Sequence, residues 1–180
     1  MPEAGSSTLT LSSANPQGLL KRVLRISSTE RTMNCTTGSG GEYPPRLSRD
    51  WNRSYTMEPD GDPAGAVVLL HGLTDSPYSL RSIGQHLAAQ GFTVVGLRLP
   101  GHGTAPSGLL GFRVEDMQAA VRLAVRDLHA NAARDRPLYL VGYSNGAALA
   151  VDYALAALDD AALQKPVGLV LISPAIAISK

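Results

Sequence analysis

The run Gly-Tyr-Ser-Asn-Gly at 142–146 has the residue types and spacing that most directly suggest chemistry. A serine with a glycine two residues away on each side is typical of a sharp turn from a strand into a helix, which presents the serine hydroxyl at the edge of a sheet. The apolar run before Ser144 and the alanine-rich run after it predict that strand and that helix. We therefore expect Ser144 to be a nucleophile, and a serine at neutral pH needs an adjacent base.

An acyl-transfer site also needs two backbone N–H groups directed at the oxyanion that develops during the reaction. Asn145, the residue after the serine, is expected to supply the first. The second is expected from the turn after the His-Gly pair at 71–72, where another apolar run ends. The amide of Leu73 is the first candidate there, and that of Thr74 is the alternative. Thr74 and Tyr143 are also expected to line the substrate site.

The chain contains four histidines that could supply the missing base. His71 ends a strand at the turn that follows it, and a role as base is not favoured there. His86, in the middle of a helix, is expected to be part-buried or exposed with no evident partner, and His129, at the end of another helix, is expected to be a surface residue. His102 lies in a Pro-Gly-His-Gly loop on the same rim as the serine, so it is the least improbable internal base and a candidate for substrate binding. A structural role in its loop remains the favoured interpretation.

The remaining reactive side chains give weaker signals. Asp75 could line the pocket for the acyl or alcohol group, although a solvated turn residue is the favoured interpretation. Asp152 is expected to be a surface residue of its helix. The single cysteine, Cys35, excludes an internal disulfide and is expected to be an incidental thiol. No cluster has metal-ligand spacing, and we expect neither a metal nor a cofactor.

Alternating strand and helix patterns are expected to position these residues. The stretches 54–59 and 65–70 flank a Gly/Pro-containing turn, so they are predicted to pair as a hairpin. The rest of the chain predicts, in order, a helix at 76–91, a strand at 92–99, a loop at 100–108, a helix at 114–130, a strand at 137–142, a helix at 145–158 and a strand at 167–173. This order predicts an α/β fold with a mostly parallel sheet and helices on both faces.

Composition limits the other function classes. The net charge of +1 argues against a partner that is a nucleic acid, and no apolar run is long enough to span a membrane. The first residues lack the basic and apolar regions of a secretory signal, so a cytoplasmic protein is expected. Residues 1–49 are predicted to be a polar, poorly ordered extension, and 50–180 the folded part. Nothing in the sequence indicates an oligomeric state.

Three consecutive segments carry a family resemblance: VVLLHGLTDSPYSL, GFTVVGLRLPGHGTAPSG and LYLVGYSNGAALAVDYAL. In this order they resemble the α/β-hydrolase superfamily, and most closely its bacterial esterase and monoacylglycerol-lipase-like branch. The resemblance covers residues 54–174 and implies an α/β-hydrolase fold and a serine esterase that acts on a small-molecule ester. It does not identify the substrate, because this fold hosts many chemistries.

The resemblance also implies residues that are missing from the chain. The family's triad runs Ser, then Asp or Glu after the seventh strand, then His after the eighth. If 54–59 and 65–70 are the second and third strands, the strand at 167–173 is the sixth, and only a few residues follow it. We therefore expect an N-terminal fragment, truncated after about strand six, that is inactive alone. The alternative is a non-catalytic α/β-hydrolase-like binding or interaction protein.

Overall fold

The computed structural model describes residues 51–131 and 135–176, so the predicted extension at 1–49 lies outside the described residues. Five strands form one sheet in this part of the chain. They are β1 (Tyr55–Met57), β2 (Gly65–Leu70), β3 (Phe92–Leu97), β4 (Leu138–Tyr143) and β5 (Gly168–Ile172). Each lies within a residue or two of its predicted position.

The strand order is β1-β3-β2-β4-β5, and every pairing is parallel except that of β1 with β3. The predicted hairpin of β1 with β2 is therefore wrong. Parallel neighbours occupy both edges of β2, with Val68 opposite Val95 on one side and Leu140 on the other. The unbroken apolar sequence of β2 is that of a central strand buried on both faces, and β1 pairs instead along the outer edge of β3.

Three α-helices connect the strands, α1 (Arg81–Ala89), α2 (Val114–Asn131) and α3 (Asn145–Asp159). The predicted helix at 76–91 begins with a 3₁₀ turn, Pro77–Leu80, before α1 starts. Ser76, the residue before this turn, makes no capping hydrogen bond with its side chain. Its hydroxyl instead donates to Oδ1 of Asn52 at 2.8 Å. Gly91 ends this unit with a φ of 92°, a conformation that favours glycine.

The two faces of the sheet bury separate hydrophobic clusters. Helices α2 and α3 cover one face, and apolar side chains of α2 are buried there: Met117, Val121, Ala124 and Leu128. The 3₁₀ turn and α1 cover the other face, where Leu80 packs with Val67, Leu69 and Val94. Alternate residues of β2 point into the two clusters, because successive side chains of a strand point to opposite faces. The sheet with helices on both faces is the architecture predicted from the sequence.

Strand β5 differs from the other parallel strands in its burial. Among the described residues it pairs only with β4, and it retains exposed apolar side chains. Val170 is 51% exposed, whereas every residue of β2 is buried. None of the described helices combines the length and apolar character needed to cross a membrane.

Candidate active site

Ser144 lies at the junction of β4 and α3 in a backbone conformation that non-glycine residues rarely adopt. Its φ is 53° and its ψ is −116°, outside the regions open to most L-residues. Its amide donates to the carbonyl of Ile172 at 2.9 Å, and its carbonyl accepts from Ala147 at 3.1 Å and from Ala175 at 3.2 Å. Three segments therefore hold the turn. Strain of this kind persists only where the surrounding structure determines it.

The glycines on either side of Ser144 let the strand and the helix approach each other. A side chain on Gly142 would collide with the backbone of Ala147, and one on Gly146 would collide with the carbonyl of Leu70. Both obstacles are backbone atoms, which cannot move aside as a flexible side chain would. The spacing Gly-x-Ser-x-Gly therefore has a steric cause at each glycine.

The turn after β2 lies beside Ser144. A Cβ atom on Gly72 would lie 3.6 Å from Cβ of Ser144 and 3.1 Å from the ring of Tyr143. Asp75 closes this turn by donating its amide to the carbonyl of Gly72 at 3.2 Å. At its centre, the amides of Leu73 and Thr74 donate no backbone hydrogen bond to a described residue.

The amide of Asn145 is a further donor that the helix leaves unpaired. Asn145 is the first residue of α3, and the first N–H groups of a helix have no partner within the helix. The dipole of the helix adds partial positive charge at this end. The side chain of Asn145 points to α2, where its amide contacts the sulfur of Met117 at 3.7 Å. Two sets of unpaired amides thus flank Ser144, as an oxyanion site requires.

His71 is fully buried, and both of its ring nitrogens are engaged. Nδ1 donates to the carbonyl of Gly72 at 2.8 Å, and Nε2 accepts from the amide of Leu99 at 3.1 Å. Burial lowers the pKa of His71 from 6.5 to about 4, so the ring is neutral at physiological pH. With no free nitrogen, His71 links the end of β2 to the segment after β3 rather than serving as a base.

His102 is also buried, and its ring meets that of His71 edge-on with centroids 5.1 Å apart. Nδ1 donates to the carbonyl of Pro100 at 2.8 Å, which leaves Nε2 as an acceptor without a partner among the described residues. No hydrogen bond joins a described histidine to the hydroxyl of Ser144. The loop role that the sequence favoured for His102 agrees with this geometry.

The other candidates lie away from the serine. His86 is exposed, and His129 is partly buried near the end of α2. Asp152 accepts a hydrogen bond from Gln118 at 3.0 Å, which links α3 to α2. Cys35 lies outside the described residues, and within the described part of the chain no group of three metal-ligating side chains is present.

The structure adds one feature that the sequence did not indicate, a depression of about 460 Å³ between the turn after β2 and the loop after β3. Asn52 lines it and binds Ser76, yet it is 24 residues away in sequence and no local pattern marks it. Ser144 is not part of the lining, but Thr74 of the turn beside it is.

Comparison with known proteins gives one family and a set of related structures. The family model described as serine aminopeptidase, S33, matches residues 61–180. No curated protein matches the sequence significantly.

One similar solved structure comes from work on LipS and LipT, two metagenome-derived lipolytic enzymes. It is 28% identical to this chain with a TM-score of 0.61, and the match covers 72% of this chain and 48% of the other. The monoacylglycerol lipase of Paleococcus ferrophilus is 29% identical with a TM-score of 0.53, and the match covers 70% of this chain and 44% of the lipase. A thioesterase domain from the curacin biosynthetic pathway is 25% identical with a TM-score of 0.53, and the match covers 67% of this chain and 41% of the thioesterase domain. The chain therefore spans less than half the length of each of these structures.

Proposed function

Because the chain belongs to the serine aminopeptidase S33 family and has the α/β-hydrolase fold, we propose that its full-length protein is a serine hydrolase that cleaves carboxylic esters. One observation carries the proposal: Ser144 occupies a strained strand-to-helix turn, flanked by the unpaired amides of α3 and of the turn after β2. The lipolytic enzymes among the similar structures support an ester as the bond that is cleaved.

The proposed reaction has two steps. Oγ of Ser144 attacks the ester carbonyl carbon while a base takes the hydroxyl proton, and the amides of Asn145 and Leu73 stabilise the oxyanion. The intermediate expels the alcohol, which receives that proton, and leaves an acyl group on Ser144. Water then attacks the acyl-enzyme by the same route and releases the carboxylic acid. Thr74 is the alternative donor to Leu73.

The base and its acid are proposed to come from residues that follow Lys180 in the full-length protein. Neither buried histidine beside the site hydrogen bonds to Ser144, and the chain spans less than half of the similar structures. The exposed apolar residues of β5 are a surface on which further strands and helices of the same domain could pack. Residues 1–180 alone are expected to lose several orders of magnitude in rate, because a triad acts as a unit.

A fluorophosphonate probe tests the proposal, because it reacts with activated serines. We expect covalent labelling of Ser144 in the folded full-length protein, and loss of labelling in Ser144→Ala. Ser107→Ala removes an exposed serine and serves as the matched control. Absence of labelling in a folded sample would contradict the proposal and favour a non-catalytic binding protein.

A further inference from the structure

The depression next to the proposed oxyanion turn has a lining suited to a ligand that donates hydrogen bonds. It lies between Thr74, Asp75 and Ser76 on one side and the loop from Gly101 to Pro106 on the other. Its volume of about 460 Å³ is within the range of small-molecule sites. Thr74 belongs both to this lining and to the turn beside Ser144, so the depression adjoins the proposed site.

Two polar side chains of this lining donate their hydrogen bonds to other groups of the protein. The hydroxyl of Ser76 donates to Oδ1 of Asn52 at 2.8 Å, and Nδ1 of His102 donates to the carbonyl of Pro100 at 2.8 Å. Ser76 therefore offers lone pairs, and Nε2 of His102 is a buried acceptor with no partner among the described residues. The hydroxyl oxygen of Ser76 therefore matches a hydrogen-bond donor rather than an acceptor.

Asp75 adds a negative charge to these acceptors. Its Oδ1 accepts from the amide of Ser76 at 3.0 Å, which fixes the carboxylate. Its Oδ2 has no hydrogen-bond or ion-pair partner among the described residues. The described residues that line the depression include no lysine or arginine. Arg98 is buried beneath the loop, close to Gly103, and is engaged in interactions of its own.

An apolar wall completes the depression. Ala105, Pro106 and Leu109 contribute apolar side chains to its lining. A ligand with a hydrocarbon skeleton and one protonated amine would place carbon against this wall and direct its N–H group to Asp75. A hydrogen bond between two charged groups is the strongest kind that such a lining can make.

We propose that this depression is a substrate subsite and that Asp75 selects esters bearing a protonated amine on the alcohol or the acyl side. The inference rests on the proposed ester hydrolysis and deepens it by naming the substrate class. An anionic group in the same place would face an unpaired carboxylate, so the subsite discriminates against acidic esters.

Two pairs of isosteric esters test this selection in the full-length protein. On the alcohol side, 2-(dimethylamino)ethyl butanoate is compared with 3-methylbutyl butanoate. On the acyl side, ethyl 4-(dimethylamino)butanoate is compared with ethyl 5-methylhexanoate. In each pair an N–H⁺ replaces a C–H at nearly constant shape, so the ratio of kcat/KM within a pair isolates the charge, and the two pairs distinguish the two sides.

We expect the wild-type protein to prefer the amine ester in at least one pair, and Asp75→Asn to lower that ratio about tenfold. Asparagine keeps the oxygen that accepts from the amide of Ser76. Asp159→Asn makes the same change of charge at an exposed position at the end of α3 and should keep the wild-type ratio. No preference in either pair, or an Asp75→Asn ratio equal to that of the wild type, would overturn the proposal.

If no ester is turned over and Ser144 is not labelled, the proposed function fails, and binding alone decides the subsite. Titration with N,N-dimethylbutylammonium should then shift the backbone amide NMR signals of Thr74–Ser76 and Gly101–Thr104 in the wild type but not in Asp75→Asn. Unshifted signals in the wild type would overturn the subsite as well.

Discussion

At the scale of single residues, His71 shows how a side chain can define a site without reacting in it. Its two hydrogen bonds join the turn after β2 to the segment after β3, and its burial keeps the ring neutral. The turn that it holds contains the amides proposed for the oxyanion. Protonation of His71 would break the bond from Leu99 and loosen this turn.

The pKa of His71 predicts a dependence of stability on pH. The unfolded chain binds a proton with a pKa near 6.5, whereas the folded protein does so only at about 4. The stabilisation that the neutral His71 ring contributes is therefore fully present above pH 6.5 and is lost as the pH falls from 6.5 towards 4. The loss is about 3 kcal/mol in the free energy of unfolding.

Urea unfolding across this pH range should reveal the loss, and NMR titration of the His71 ring should give a midpoint near 4. Exposed His86 provides the matched control, since His86→Gln should keep the same dependence. A ring that titrates near its ordinary pKa would contradict the prediction.

The backbone of Leu73, rather than its side chain, is the group proposed to act in catalysis. Leu73 follows the first residue of a four-residue turn, a position that favours proline, and proline has no N–H to donate. Leu73→Pro should therefore lower kcat of the full-length protein by about 10²–10³. Leu73→Ala keeps the amide and should cost far less.

The kcat values of Leu73→Pro and Leu73→Ala are compared by steady-state kinetics with one ester. Both variants must first show the far-ultraviolet circular dichroism of the wild type. A small loss in Leu73→Pro together with a large loss in Thr74→Pro would transfer the role to Thr74.

At the scale of secondary-structure elements, close packing of β4, β2 and α3 produces the turn at Ser144. Gly146 faces the carbonyl of Leu70 and Gly142 faces the backbone of Ala147. Helix propensity alone would favour alanine over glycine in α3 by about 1 kcal/mol. The steric conflict with a neighbouring strand outweighs this preference.

Gly146→Ala is therefore expected to destabilise the protein by about 2 kcal/mol or more, despite the better helix propensity of alanine. Gly111 provides the matched control, because a Cβ there meets nothing within 4 Å and its φ is −117°. Gly111→Ala should leave the urea midpoint nearly unchanged. Equal midpoints for the two variants would contradict the steric explanation.

At the scale of the whole molecule, β5 is an edge of the sheet that the described residues leave less covered than the other parallel strands. Val170 and Leu171 point to opposite faces of the sheet, and both are exposed. The exposed residues of the adjoining α3 include Leu155 and Leu158. An apolar edge of this kind is typical of a surface against which further structure packs.

If the full-length protein covers this edge, Val170→Glu should lower its free energy of unfolding by about 3 kcal/mol, because a charge would be buried unpaired. The same substitution in residues 1–180 should cost much less, since Val170 is 51% exposed there. Leu110 is 88% exposed and away from the edge, so Leu110→Glu should have little effect in either chain. Urea unfolding of both chains with both substitutions makes the comparison, and a mild effect of Val170→Glu in the full-length protein would argue against a covered edge.

The sequence by itself determined the secondary-structure elements and the turn at Ser144. Hydrophobic period and turn residues located the five strands and three α-helices, because these signals arise from neighbouring residues along the chain. The spacing around Ser144 predicted its sharp turn, since the two glycines that permit it lie within two residues of the serine in sequence.

The tertiary structure alone decided what depends on distant partners. It placed β1 beside β3 rather than β2, because both edges of β2 are occupied by strands that come later in the chain. It placed the amide of Leu99 within hydrogen-bond distance of His71, whose two ring nitrogens are both bonded. It also placed Asn52 beside Ser76 and Asp75 in the lining of a depression. Long-range packing sets these contacts, and no spacing within a single segment of the sequence encodes them.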